Sequence, residues 1–308
     1  MKRAPAPLFA QPAPATRLRA TSRDGTGLNV EVHGPDRMDV PTVVLIHGWT
    51  CSAGYWAPVI RQLRGALRVV TYDQRGHGAS DPPGPSGCST AVLADDLTAV
   101  LDTAVGGGSA VLAGHSMGGM TILAAADRPE VRNRTTAVLL ASTGFTRLTA
   151  ESLVFPIRRS PRLARAARRF ILSSSAPMGP VSPLTRAALS YMTLGPATAK
   201  ELAAINAAMV HRCDRRVRGA WGRVLTGLDI SHALPHLGVP TRVLVGSRDR
   251  MTPPVHARLL AGQLPRCEGL TVLPGVGHMT PLEAPGTVAA LIRKLVATAP
   301  APAAGAGA

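Results

Sequence analysis

The chain has 308 residues, 45% of them apolar, enough for one large domain or one domain with an insertion. No apolar run reaches the roughly 20 residues of a membrane-spanning helix, and Cys51, Cys88, Cys213 and Cys267 form no Cys-x-x-Cys pair and no zinc-ligand spacing. The net charge of +16 is nearly all arginine, but no zinc finger, RNA-binding aromatic motif or basic heptad accompanies it, so nucleic acid is not an expected partner.

The start is rich in proline and alanine and lacks the apolar stretch of a signal peptide. Residues 1–20 read as a flexible leader, 299–308 as a disordered tail, and the expected location is cytoplasmic. Leu28 to Val32 reads as an early strand and Val43 to Ile46 as a strand apolar on both faces, which suits a parallel sheet. Trp56 to Leu67 has a helical pattern, Arg68 to Tyr72 the next strand pattern. Asp95 to Ala104 is an amphipathic helix, with Leu97, Val100, Leu101 and Ala104 on one side. Strand Ala110–Ala113 leads into a turn and a helix through Ala126. Thr136–Leu140, Arg242–Val245 and Leu270–Leu273 continue the strands, and Val288–Val296 is a last helix. This alternation predicts an α/β fold with a mostly parallel central sheet and helices on both faces. Residues 143–229 break the rhythm with proline-separated helical segments. They read as a helical lid inserted between core segments 21–142 and 230–298.

The chemistry starts at Gly114-His115-Ser116-Met117-Gly118, placed where a strand turns into a helix. Such a turn has no room for side chains at its glycines and holds Ser116 at its apex. Upstream, Val43–Ile46 runs into His47-Gly48-Trp49, where glycine permits a sharp turn. The backbone N–H groups of Trp49 and Met117 are then candidates for an oxyanion hole. In the loop Tyr72–Ser80, Asp73 and Arg75 are expected to pair with each other or with backbone as buttresses. Asp249 follows the strand ending at Val245, and His278 sits on a glycine-bounded loop past the last strand. A serine hydroxyl needs a base to take its proton. A histidine does this near neutral pH, oriented by an acid. Ser116, Asp249 and His278 therefore form the expected triad. Asp127 and Asp229 are weaker acid candidates, and Asp229 is expected to cap a helix. His77 and His115 are expected to make structural hydrogen bonds and His256 to lie on the surface. The cysteines read as free thiols, with Cys51 near the active-site loop.

With these motifs in this order, the chain resembles the α/β-hydrolase fold family, in particular its serine esterase/lipase-like group, over about Leu28 to Val296. The resemblance implies the fold, the triad, acyl-enzyme chemistry and no cofactor or metal. It also disfavours the dehalogenase and epoxide-hydrolase chemistry of this fold, which uses aspartate where Ser116 stands. The expected reaction is hydrolysis of a carboxylic ester with a lipophilic or monoacylglycerol-like substrate. C–C bond, thioester or lactone hydrolysis and cofactor-free perhydrolysis are the alternatives, and a non-enzymatic ligand-binding protein of the same fold is a third. The lid carries 13 arginines and one lysine against three acids between Arg147 and Arg223. Ser160-Pro161 reads as the start of a basic amphipathic helix, either a solvated lid face or a contact with anionic membrane. Met178, Leu189, Met192, Leu194, Ile205, Met209 and Trp221 are candidates for a pocket lining or for lid core.

Overall fold

The computed structural model describes residues 9–37, 39–84, 86–154 and 161–298, the side chains of 161–165 and 168 excepted. Eight strands form one sheet: β1 (Thr16–Thr21), β2 (Gly27–His33), β3 (Thr42–Ile46), β4 (Arg68–Tyr72), β5 (Ala110–His115), β6 (Thr135–Ala141), β7 (Thr241–Gly246) and β8 (Cys267–Leu273). Their spatial order is β1-β2-β4-β3-β5-β6-β7-β8. β1 and β2 run antiparallel to their neighbours, and the strands from β4 to β8 are parallel.

The apolar runs are explained by burial on both faces. Side chains alternate along a strand, so Val44 and Ile46 of β3 join Leu112, Leu140 and Val243 in one core, while Val43 and Leu45 join Val111, Leu139 and Leu244 in the other. Helix α1 (Ala57–Leu63) packs on the second core. Helices α2 (Thr90–Ala104) and α3 (Met117–Ala124) pack on the first, and a short α4 (Pro129–Arg134) precedes β6. Between β6 and β7 stand α5 (Leu148–Glu151), α6 (Pro161–Leu172), α7 (Pro183–Thr193), α8 (Lys200–Arg212) and α9 (Arg215–Thr226). This helical insert leaves and rejoins the core at one neck, where Thr146 bridges to Asp229 and Ile230 N–H donates to the Phe145 carbonyl. The chain then runs through α10 (Pro254–Gln263) on the first core, α11 (Thr280–Glu283), and α12 (Pro285–Thr298) on the second.

Several boundaries differ from the sequence expectation for physical reasons. Residues 16–20, assigned to a flexible leader, belong to edge strand β1. Leu18 and Ala20 turn inward opposite Val30 and Leu28, and the polar residues between them face out. The alternation is short and arginine-rich, as suits an edge strand. Residues 1–8 and the tail 299–308 lie outside the described residues. The helix expected from Trp56 to Leu67 is a 3-10 turn, Ala53–Trp56, followed by α1, which stops at Leu63 just before Arg64 and Gly65. Helix α2 starts five residues earlier than expected because Ser89 caps it, accepting the Val92 N–H at 3.3 Å. In the insert, Ser160 lies outside the described residues, while α6 does begin at Pro161.

Candidate active site

Ser116 stands between β5 and α3 with φ 52° and ψ −118°. That left-handed backbone is unfavourable for serine and persists only where the surroundings enforce it. Here Ser116 N–H donates to the Ala141 carbonyl at 2.9 Å, and the Thr143 hydroxyl donates to the Ser116 carbonyl at 2.7 Å. The flanking glycines are required by close approach. A Cβ at Gly118 would run into the Ile46 carbonyl, and one at Gly114 into the Gly118 main chain.

The loop after β3 packs directly against this turn, with Gly48 over the Ser116 Cβ and the His115 ring. Thr50 is also left-handed, φ 63°, and its N–H donates to His77 Nε2 at 3.2 Å. His77 Nδ1 in turn donates to the Arg75 carbonyl at 3.1 Å. The Trp49 indole N–H donates to the Arg218 carbonyl of α9, which ties the loop to the insert. Met117 begins α3, its side chain packed with Val217 and Trp221. Burial pushes His77 down to about 3 and holds His47 and His115 below the ordinary imidazole range. All three are therefore neutral supports.

Asp249 and His278 are brought together. His278 Nδ1 lies 2.9 Å from Asp249 Oδ2 and 3.0 Å from Oδ1. Asp249 also accepts the main-chain N–H groups of Met251 and Thr252 at 2.9 and 2.8 Å and the Thr252 hydroxyl at 3.0 Å. An acid so fully engaged holds the imidazole with its proton on Nδ1 and leaves Nε2 as the basic nitrogen. The His278 loop is clamped from two sides. His115 Nε2 donates to the His278 carbonyl at 2.9 Å, while His278 N–H donates to the Thr193 carbonyl at 2.8 Å. Glu283 accepts from Gly277 N–H, Gly195 N–H and the Thr198 hydroxyl, joining the loop to the turn between α7 and α8.

Ser116, His278 and Trp49 line one cavity of about 170 Å³ beneath the insert. Met178, Leu189 and Met192 line it as expected, with Ile171, Leu172, Val210, Met251 and Met279. Leu194 and Trp221 are instead core residues, Met209 packs on the second core, and Ile205 is not in the lining. Asn206 and Arg218 are polar lining residues that sequence reasoning missed, and helical periodicity carries no signal for them. Thr252 was within reach of the sequence, since Asp249 followed by Met-Thr-Pro has the spacing of a carboxylate that accepts the next turn's N–H groups.

Other expectations divide. Both engage backbone as expected, Asp73 accepting Ala53 and Ala79 N–H at 2.7 and 3.0 Å and Arg75 donating to the Gly87 carbonyl at 3.2 Å, but the ion-pair partners of Arg75 are Asp24 and Asp96 rather than Asp73. Asp229 accepts Ser231 N–H ahead of a 3-10 turn, Ser231–His236. His256 is not on the surface. It is fully buried against Gly144, because that face of α10 packs on the core. All four cysteines are free thiols. Cys51 is buried and pushed upward by burial, and the others are half-buried.

A mostly parallel eight-stranded sheet, a serine on a strained strand–helix turn and an acid–histidine pair on later loops define a hydrolase fold of the α/β class. A family model described as "Alpha/beta hydrolase family" matches residues 43–291, and the chain belongs to that family. The pimeloyl-[acyl-carrier protein] methyl ester esterase of Stenotrophomonas maltophilia is 30% identical over 261 residues, covering 83% of this chain and 93% of that protein. The 3-oxoadipate enol-lactonase 1 of Acinetobacter baylyi is 37% identical over 106 residues, covering 34% of this chain and 38% of that one. Among solved structures, an esterase from Thermogutta terrifontis superposes with a TM-score of 0.72 at 26% identity, covering 92% of this chain and 98% of that chain. No helix of the described residues is long and apolar enough to cross a membrane.

Proposed function

We propose that the protein hydrolyses carboxylic esters through an acyl-enzyme on Ser116. The observation that carries this reading is the pairing of Asp249 with His278 at 2.9 Å beside a cavity that also exposes Ser116. Ser116 Oγ attacks the ester carbonyl carbon as His278 Nε2 takes its proton. The negative charge that develops on the carbonyl oxygen is met by the Trp49 and Met117 amides. Collapse of the tetrahedral intermediate breaks the C–O bond, and His278 hands its proton to the departing alcohol. Water then repeats the sequence on the acyl-serine and releases the acid. Asp249 supports the imidazolium.

The apolar side chains around Ser116 favour a lipophilic acyl group. A lactone is a cyclic ester and needs no different machinery, and the match to an enol-lactonase favours it as the second substrate type. The insert is also the proposed contact with anionic membrane. Among the described residues, six of the seven exposed large apolar side chains, among them Phe170, Ile171 and Leu184, lie on it with Arg169.

The test is hydrolysis of p-nitrophenyl esters from acetate to palmitate, with Ser116→Ala as control and fluorophosphonate labelling beside it. Turnover and labelling, both abolished by the substitution, support the reading. Labelling without turnover points to another acyl substrate. Absence of both removes the catalytic reading in favour of a ligand-binding protein.

A further inference from the structure

The cavity beside Ser116 contains a buried positive charge with no counter-charge. Arg218, on α9, lines that cavity and is 8% exposed. Among the described residues its guanidinium makes one hydrogen bond, 2.6 Å to the Ala176 carbonyl. Among the described residues, which include all 18 Asp and Glu side chains, no carboxylate stands within ion-pair reach of it. The acid nearest in sequence, Asp214, is committed elsewhere, its Oδ1 accepting Arg216 and Val217 N–H at 2.8 and 3.1 Å. The same protein shows how it treats a buried guanidinium of structural purpose. Arg75 is closed by Asp96 at 2.6 Å and Asp24 at 2.9 Å.

A guanidinium stays charged and offers five donors in a planar fork that matches a carboxylate. Leaving such a group buried and unpaired is costly. The cost is recovered when a ligand supplies the anion. The cavity lining offers none, since it contains no acid, and Met178, Leu189, Met192 and Val210 in it are apolar. They suit a short methylene chain between the reacting carbonyl at Ser116 and a charge at Arg218. The insert's excess of arginine adds a field that favours negative ligands.

We infer that Arg218 is a specificity-determining residue that receives a free carboxylate on the acyl part of the substrate, selecting half-esters of short dicarboxylic acids over neutral esters. This rests on the reading of Ser116 as the nucleophile.

The experiment compares mono-p-nitrophenyl adipate with p-nitrophenyl hexanoate, matched in length, on wild type, Arg218→Gln and Arg218→Lys. Wild type is expected to favour the adipate by about ten-fold or more in kcat/KM. In Arg218→Gln that ratio collapses, chiefly through KM, and Arg218→Lys retains part of it. A wild-type ratio at or below one overturns the inference, and so does a ratio unchanged in a folded Arg218→Gln. Binding is read separately by thermal shift of Ser116→Ala with adipate against adipamide. Stabilisation by adipate alone, lost on adding Arg218→Gln, upholds the anion site even if neither ester is cleaved, in which case only the hydrolase reading fails. Cleavage of both esters without preference, and no shift with adipate, removes the anion site and leaves the hydrolase reading standing.

Discussion

The surroundings of Asp249 and Arg75 on the sheet and those of Arg218 and Asn206 on the insert treat polar groups in opposite ways. Around Asp249 every acceptor is engaged, by two amides, a hydroxyl and an imidazole, and Arg75 beneath the neighbouring loop is closed by two carboxylates. Across the cavity, Arg218 has no acid, and Asn206 is fully buried with its Oδ1 unpartnered. The orientation of that amide is fixed by its neighbour. The Thr193 hydroxyl gives its proton to the Leu189 carbonyl, so it must accept from Asn206 Nδ2 at 2.8 Å, which leaves Oδ1 over. Around Asp249 and Arg75 the valences are closed and fix a geometry, while elsewhere in the core the Tyr55 and Tyr72 hydroxyls, Trp56 Nε1 and His115 Nδ1 are buried without a hydrogen-bond partner among the described residues. Arg218 and Asn206 leave valences open at the cavity wall, where a ligand can fill them. On the proposed reading, reaction type belongs to the first pair of surroundings and selectivity to the second.

The nucleophile carries the largest expected effect. Ser116→Ala is expected to lower kcat on p-nitrophenyl esters by on the order of 10⁶-fold, with Tm preserved or raised, since alanine deletes one hydroxyl. Residual turnover within a few-fold of wild type would place the reacting group elsewhere. Next in size is a purely structural break. Arg75→Met strands Asp24 and Asp96, and removing one partner of a buried ion pair destabilises by about 3–5 kcal/mol. Urea denaturation measures it. Arg169→Ala on the exposed face of α6 is the counterpart, expected to change stability by less than about 0.5 kcal/mol. Similar losses in both would erase the distinction between the closed Arg75 cluster and the exposed arginines of the insert.

What could be read from the sequence follows the same division. Strands β3 to β7 announce themselves because burial on both faces leaves continuous apolar runs, and Gly114-x-Ser116-x-Gly118 does so because its glycines meet backbone. Strand β1 was missed because an edge strand alternates short polar and apolar residues, which in six residues resembles a linker. His256 was misread because its face of α10 is set by Gly144 on a distant segment. Arg218 and Asn206 could not be singled out among many polar residues. Their importance lies in what fails to pair with them, and pairing across the insert is invisible to local pattern.

The buried histidines supply a graded prediction in pH. His77 titrates near 3 in the folded chain, against about 6.5 when unfolded. Below pH 6.5 the unfolded chain binds the proton and the folded one does not, so unfolding is favoured increasingly until pH approaches 3. His47 and His115 are displaced in the same direction, also by burial. The stability they contribute is complete above pH 6.5 and is lost as pH falls from there. Tm should therefore drop steadily between pH 6.5 and 4, and His77→Gln should flatten part of that slope. A Tm independent of pH over this range would mean that these rings take protons without unfolding, and that the Trp49 loop is looser than its hydrogen bonds suggest.

The smallest expected effect is the most discriminating test of the insert. Asn206→Leu removes one hydrogen bond to Thr193, worth about 1 kcal/mol, but also removes an unsatisfied buried acceptor whose burial costs about 1–3 kcal/mol. The two nearly cancel, so stability should move by less than about 1 kcal/mol in either direction. The His278 loop keeps its own anchor, because the Thr193 carbonyl that accepts His278 N–H belongs to the main chain. The cavity wall becomes apolar where Oδ1 stood, so KM for an unbranched alkanoyl ester should fall a few-fold. If Asn206→Leu destabilises as strongly as Arg75→Met, the insert's polar groups are structural after all. Its open valences would then be satisfied by ordered water rather than kept for a ligand.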